Sequence, residues 1–482
     1  MTSVEAQDVR PTSVAPQHPS PVSALLRRAA LVLTALVVLL LCVDAGVSTA
    51  QDGLGAATLV RAGLLAGGLL MVVWLRRFEY FLLAVLVLRP LLDITKVDGG
   101  PPILSSGVAA LVVLGVLLWL AAQVYAGTLR RVSALGVLSV LLLAVMSLSA
   151  LFADDRVRSL LQVARLAAAV AVFLAVEQLV VTRQDRRRVL LACYGSAVVP
   201  LLVGLQQFVA GSYLKQASGL GRVTGTFVHP NAFGFYLALL LIMGAAVFRH
   251  LEGWARVLVG SVLVLGTINL LLTYSRGSWI AVLVGVLVVG ALQARKLLLL
   301  VPAGLVLVPL LAPSVLMRLS DLSQEETING TPGNSFLWRV SHWGVVLRGA
   351  RGHEFIGLGP SSSDFLGETV LPPHNDFLRM YVETGVLGLT VYLAVLGAMV
   401  ALGLRALRSV PAPGLSRGIA VGVLACTVAF AVGSSGGNVV SQVVVLLYFF
   451  AFLALASGLT AGEPPDRRPT PTLVGPSREG VR

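Results

Sequence analysis

The chain has 482 residues, of which 56% are hydrophobic and 12% charged, and its mean hydropathy is +0.88. A soluble protein of that size has too small an interior to hide so much apolar surface, so the composition specifies a polytopic helical membrane protein. The net charge is +13, yet the cations stand in short loops between apolar runs, a pattern that encodes membrane topology rather than a nucleic-acid surface.

At about 20 residues per crossing, the apolar runs predict an all-α bundle of about 12–14 spans. They fall roughly at 29–47, 57–75, 78–94, 104–126, 134–153, 159–182, 189–210, 232–248, 257–273, 277–293, 297–312, 380–404, 418–434 and 440–460. The runs 277–293 and 297–312 are short enough to form one re-entrant hairpin. Three domains follow: a disordered N-terminus over 1–22, a transmembrane domain over 23–462 with a large inserted loop at 313–376, and a disordered tail over 463–482. The first apolar run lacks the pattern of a cleavable signal and is expected to be a retained anchor.

Alternate gaps collect Arg27/Arg28, Arg76/Arg77, Arg130/Arg131, Arg183 with Arg186–Arg188, Arg249/Arg256, Arg295/Lys296, Arg405/Arg408 and Arg467/Arg468. The positive-inside rule therefore places both termini in the cytoplasm. Thirty-three of the 36 basic residues are arginine, the exceptions being Lys96, Lys215 and Lys296. Cys42, Cys193 and Cys426 are scattered through apolar runs and form neither a disulfide framework nor a metal site.

Few cations fall on the other side: Lys96, Arg156/Arg158, Lys215, Arg222, Arg276 and the arginines of the 313–376 loop. Within that loop Leu337, Val340, Trp343, Val346 and Leu347 are spaced as one helical face, ended by Gly349 and Gly352. His374 stands at the loop's exit. Asn375 or Asp376 is expected to cap a helix starting at about Phe377, whose N-terminus suits an anion. Arg379 and Glu383 stand at i, i+4 and are expected to pair, with Gly385 and Gly388 allowing close helix contact. Pro230 opens a helix that Asn231 caps or kinks. His342 and His353 read as loop-surface residues, Asp154/Asp155 as a solvated turn, and Arg89 and Asp93 as a mutually neutralising pair.

Four stretches follow in order: "GLGRVTGTFVHPNAFGFY" at 219–236, "TYSRGSW" at 273–279, "WRVSHW…GLGPSSSDF" at 338–365, and "PPHNDFLRMYVETGVLGL" at 372–389. Over about Val189 to Leu459 this order resembles the superfamily of O-antigen ligases and O-antigen polymerases, integral membrane glycosyltransferases. The resemblance implies a GT-C-like bundle in the cytoplasmic (inner) membrane with its active site outside. The implied enzyme transfers or polymerises glycan from an undecaprenyl-diphosphate-linked donor onto an acceptor hydroxyl, without metal or cofactor. By the same resemblance Arg222 and Arg276 hold the diphosphate and His374 is the base, with Arg339 as a third cation. Asn375 would orient the imidazole, while Asn231, Glu383 and Arg379 border the substrate.

The implied partners are the lipid-linked donor, a glycan or glycolipid acceptor, membrane lipids and polysaccharide-assembly proteins, with no nucleic acid. Ligase and polymerase share these motifs. Two readings of other classes compete: a transporter of an anionic or lipid-linked solute, and a non-catalytic glycan-assembly factor. No nucleotide-cradling G-x-x-x-x-G-K-[ST], Cys/His metal spacing or G-x-S-x-G turn occurs in the chain.

Overall fold

A computed structural model describes residues 74, 77–91, 103–213, 215–217, 220–299, 301–304, 314, 335–367 and 370–460. The two termini, the span expected at 29–47, almost all of that at 57–75, most of 297–312, Lys96 and Asp93 lie outside the described residues. The chain divides into two units, 1–81 and 82–482. In the first, Arg77 pairs with Glu79 at 3.6 Å and the rings of Phe78 and Phe81 meet at 5.7 Å.

Thirteen helices among the described residues carry the fold. They are α1 (Phe78–Leu88), α2 (Ile103–Tyr125), α3 (Ala134–Leu151), α4 (Arg156–Leu179), α5 (Arg183–Gly195), α6 (Val198–Ala210), α7 (Pro230–Val247) and α8 (Gly253–Leu272). After them come α9 (Arg276–Leu292), α10 (Ser335–Gly349), α11 (Asp376–Ser409), α12 (Leu415–Gly436) and α13 (Val443–Thr460). A two-stranded hairpin, β1 (Lys215–Ala217) and β2 (Leu220–Arg222), precedes α7.

Eight helical segments among the described residues are long and apolar enough to cross a membrane: α3, α4, α5 with α6, α7, α8, α11, α12 and α13. The chain is a multi-pass helical membrane protein. Two expected spans differ in detail. The run at 78–94 gives only the 11-residue α1, because Pro90 cannot continue the helix. The run at 189–210 is the C-terminal part of a longer segment, Arg183–Ala210, broken between α5 and α6 just before Pro200.

Polar caps set the ends. Ser133 accepts from the Gly136 amide, Asp155 from that of Arg158, and Thr182 forms a reciprocal box with Asp185. Asp155 also pairs with Arg158 at 3.0 Å, as expected of a solvated turn.

The core forms around α13, whose sequence VVVLLYFFAFLALASGLT is apolar on every face and is buried from Val444 to Leu459. It packs along α4, α11, α12 and α7, while α12 also lies against α9 and α11. Phe430 and Phe449 stack at 4.6 Å. Buried tyrosine hydroxyls are satisfied inside the bundle: Tyr194 donates to the Leu240 carbonyl at 2.7 Å, Tyr448 to that of Leu86, and Tyr236 pairs with the Ser196 hydroxyl at 2.7 Å.

The segment before α11 is organised by a break in that helix. Gly385 has φ +67°, and a Cβ there would lie 2.1 Å from the Phe355 carbonyl oxygen. The break exposes backbone groups that the preceding loop satisfies. Leu358 and Gly359 donate to the carbonyls of Val382 and Glu383 at 3.0 Å each, and Val386 donates to Glu354 at 2.7 Å. Gly385 was expected to ease helix–helix contact; its task is instead to admit the loop. Gly357, also at positive φ, is on the loop side, where a Cβ would lie 2.4 Å from the Thr384 nitrogen.

The helix expected in the 313–376 loop is α10, and it ends at Gly349. Its buried face is offset from the predicted one: His342, Val346 and Ala350 are buried, Trp343 is partly buried, and Val340 and Leu347 are exposed. Val346 and Ala350 pack with Leu378 and Val382 of α11. That contact selects the face.

Candidate active site

At one end of the bundle α7, α9, α11 and α13 begin and α8 and α12 finish, so four positive helix termini gather there. Each contributes through a local device that its sequence explains.

The β1–β2 hairpin brings Arg222 opposite Lys215. Its exit is fixed by buried Gln207, whose Oε1 accepts from the amides of Thr224 (2.9 Å) and Gly225 (3.0 Å). Arg222 is buried; Nε donates to the Thr273 carbonyl at 2.7 Å and Nη2 to Asn231 Oδ1 at 2.7 Å. Its guanidinium thus meets the negative end of α8, which helps hold a cation out of water.

Asn231 was expected to cap or kink α7. The cap is His229, whose Nδ1 accepts from the Asn231 amide at 3.1 Å, with Pro230 at the first helical position. The Asn231 side chain is left for Arg222. Across from it, α8 turns into α9 through Tyr274, a non-glycine residue at φ +49°, and Arg276 opens α9. The hydroxyls of Ser275 and Ser278 lie 2.8 Å apart beneath it.

α10 pins the chain leading to His374. Trp343 Nε1 donates to the Pro373 carbonyl at 2.6 Å, and His342 Nε2 lies 3.1 Å from the Leu371 carbonyl oxygen. His342 was expected on the loop surface; it is buried because it fastens this segment. His353 is exposed as expected. Arg339, on the same helix, donates to the Gly436 carbonyl at 3.0 Å.

His374 itself is at φ +51°, an uncommon conformation for a residue with a Cβ. Asn375 then caps α11, its Oδ1 accepting from the amides of Phe377 (3.0 Å) and Leu378 (3.1 Å). Asn375 was expected to orient the imidazole; cap geometry consumes its oxygen. The neighbour of the imidazole is Asn438, whose side-chain amide lies 3.0 Å from Nδ1. Asn438 belongs to the α12–α13 connection, anchored by Asp376 Oδ2 accepting from the amides of Val439 (2.9 Å) and Val440 (3.1 Å).

These elements enclose a cavity of about 330 Å³. Arg222, Asn231, Arg276, Arg339 and His374 line it together, with His229, Tyr274, Ser275, Asn438 and Gln442 among the other lining residues. Three expected site residues, Asn375, Arg379 and Glu383, do not line it. Arg379 and Glu383 pair with each other at 2.8 Å as expected, buried beside the cavity's supporting loop.

Burial pushes the His374 imidazole down to about 3, helped by the positive charge of Arg339 and by His229, Arg379 and His342. It is therefore uncharged at any ordinary pH. A cavity with three guanidinium groups, converging helix starts and a neutral imidazole can take an anionic group and accept a proton beside it. Sequence reasoning missed Asn438, Gln442 and Tyr274. For Asn438 and Gln442 the available signal was the polar "GGNVVSQ" between two apolar runs, and for Tyr274 its place in "TYSRGSW" beside Arg276.

Residues 261–393 match the family model described as O-antigen ligase. The matched stretch holds Arg276, Arg339 and His374, while Arg222, Asn231 and Asn438 fall outside it. No curated protein matches the chain.

Proposed function

We propose that this chain, which carries an O-antigen ligase domain at residues 261–393, is a membrane glycosyltransferase. It moves glycan from an undecaprenyl-diphosphate-linked donor to an acceptor hydroxyl at the outer face of the cytoplasmic membrane. The observation that carries the reading is the shared cavity of Arg222, Arg276, Arg339 and His374, residues spread over more than 150 positions of sequence. The outer location rests on the arginine-rich gaps at the opposite ends of the spans.

In the reaction His374 takes the proton of the acceptor hydroxyl as its oxygen attacks the anomeric carbon. The bond from that carbon to the diphosphate oxygen breaks, and the lipid diphosphate leaves with its negative charge. Charge growing on that oxygen is met by guanidinium groups already held in place, so little reorganisation accompanies the step. Arg222 is the most firmly preset, through Thr273 and Asn231. Transfer from this site needs no nucleotide sugar, since the donor carries its own leaving group. Partners of this reading are the donor lipid, a glycan or glycolipid acceptor and polysaccharide-assembly proteins.

His374→Ala tests it. With expression matched, transfer should fall by about 10²–10⁴-fold, the range of general-base catalysis, while undecaprenyl diphosphate binding persists. Ordinary turnover by that variant would make the protein a transporter or scaffold. Gel analysis of surface glycans after deletion separates the two enzyme types. Shortened chains mark a polymerase; complete lipid-linked chains that accumulate mark a ligase.

A further inference from the structure

His374 has two ring nitrogens, and only one can serve as the base. Nδ1 faces the Asn438 amide at 3.0 Å, which leaves Nε2 for the acceptor hydroxyl. For Nε2 to carry a lone pair in the neutral ring, the proton must be on Nδ1. The Asn438 amide has two orientations. With Nδ2 toward Nδ1, as the structure has it, the ring proton is driven to Nε2, where it blocks the base, and buried Oδ1 has no hydrogen-bond partner among the described residues. With the amide turned so that Oδ1 faces Nδ1, the oxygen accepts from Nδ1–H, Nε2 is released, and Nδ2 takes the place Oδ1 held.

We propose that Asn438 is a positioning residue that accepts a hydrogen bond from His374 Nδ1–H and so fixes the tautomer that leaves Nε2 as base. The inference rests on the reading of His374 as the base. Three features hold Asn438 to the task. Asp376 grips the next two backbone amides, Asn438 lines the same cavity as His374, and the Ser441 hydroxyl donates to the Asn438 carbonyl at 2.9 Å. His374 and the carboxylate that anchors its partner are two residues apart, so the α11 start sets both ends of the contact.

An asparagine suits a site crowded with cations differently from an aspartate. The groups acting on His374 are Arg339 and His342 from α10, His229 from the α7 cap and Arg379 from α11. A carboxylate at 438 would offset that positive field and raise the basicity of the imidazole. A neutral amide selects the tautomer without doing so.

The test is nitrogen NMR of histidine-labelled full-length protein in detergent, with the His374 signals assigned by their loss in His374→Gln. Wild type should show the Nδ1–H tautomer, and so should Asn438→Asp, with its titration moved upward by one pH unit or more. Asn438→Leu and Asn438→Ala should shift His374 toward Nε2–H, slow glycan transfer at least tenfold and leave undecaprenyl diphosphate binding unchanged. An Nε2–H tautomer in wild type, or an Nδ1–H tautomer that persists in both apolar variants, would overturn the assignment. The tautomer is read without turnover, so a failure of His374 as base, seen as activity in His374→Ala, is a separate result.

Discussion

Arg379 Nη1 donates to Glu383 Oε1 across 2.8 Å, one turn apart at the start of α11, with both side chains buried. Arg379 Nη2 also reaches Asp364 Oδ1 at 2.5 Å, and Glu383 Oε1 accepts from the Ser363 hydroxyl at 2.5 Å. The pair therefore rivets α11 to the loop that fills the Gly385 break. Removing Arg379 leaves the Glu383 carboxyl buried without its cation, at a cost of about 3–5 kcal/mol, and removing Glu383 leaves Arg379 with Asp364 alone. Arg379→Ala and Glu383→Ala should both lose most folded protein in detergent, and Glu383→Gln should lose less. Thermal unfolding of the purified variants reads this directly; equal melting of wild type and Arg379→Ala would remove the pair's structural role.

Gly385→Ala combines two penalties. At φ +67° and ψ −170°, a conformation essentially confined to glycine, a Cβ costs about 1–3 kcal/mol, and here it would also collide with the Phe355 carbonyl. The expected outcome is a lower melting temperature and weak transfer, because the loop and the α11 start shift together. Gly388→Ala is a poor control, since a Cβ there would strike Thr384 Oγ1. Gly397 has open space around it and is the suitable one.

Arg222→Lys should behave as a damaging change. Arg222 engages a carbonyl with Nε and an amide oxygen with Nη2, in a fork no ammonium reproduces. Binding of the proposed donor diphosphate should weaken by about tenfold or more, corresponding to about 1.4 kcal/mol or more. Asn231→Leu should weaken it in the same direction by freeing the fork, and the double variant should fall short of additivity. Titration of undecaprenyl diphosphate into each variant gives the comparison, and full additivity would show that Asn231 does not act through Arg222.

The pH dependence has a definite sign. Burial holds the His374 imidazole down to about 3 in the folded protein, against about 6.5 in an unfolded chain. Between those values the unfolded chain takes up a proton that the folded one refuses. The contribution to stability is thus complete above about 6.5 and lost as the pH falls toward 3. For catalysis, the acid limb of kcat/KM should lie far below the ordinary histidine range. A bound diphosphate brings negative charge beside Arg339 and raises the imidazole, so the acid limb of kcat should lie higher than that of kcat/KM. Profiles of both parameters from pH 4 to 8 decide it; a kcat limb at or below that of kcat/KM would contradict the placement of diphosphate and imidazole in one cavity.

The membrane class, the α10 helix, the start of α11 and the Arg379–Glu383 pair were legible because each has a local rule: apolar length, periodicity, capping and i, i+4 spacing. The cavity's assembly from Arg222, Arg276, Arg339 and His374 was expected through motif order, not through any contact the sequence displays. What stayed hidden depends on three-dimensional competition. The sequence offers Asn375 as the neighbour of the imidazole; cap geometry takes its oxygen, and Asn438, distant in sequence, stands there instead. His342 reads as polar loop surface until α10 chooses its face. Gly385 has the spacing of a packing glycine, and only its positive φ reveals a chain break.

Asn438 and Gln442 border the cavity from the connection between the two last helices described, while Arg222 comes from before α7. During synthesis the early wall waits through more than 200 residues of translation for its closing piece. A chain cut short before Asn438 therefore lacks part of the cavity's lining, however well its earlier helices pack.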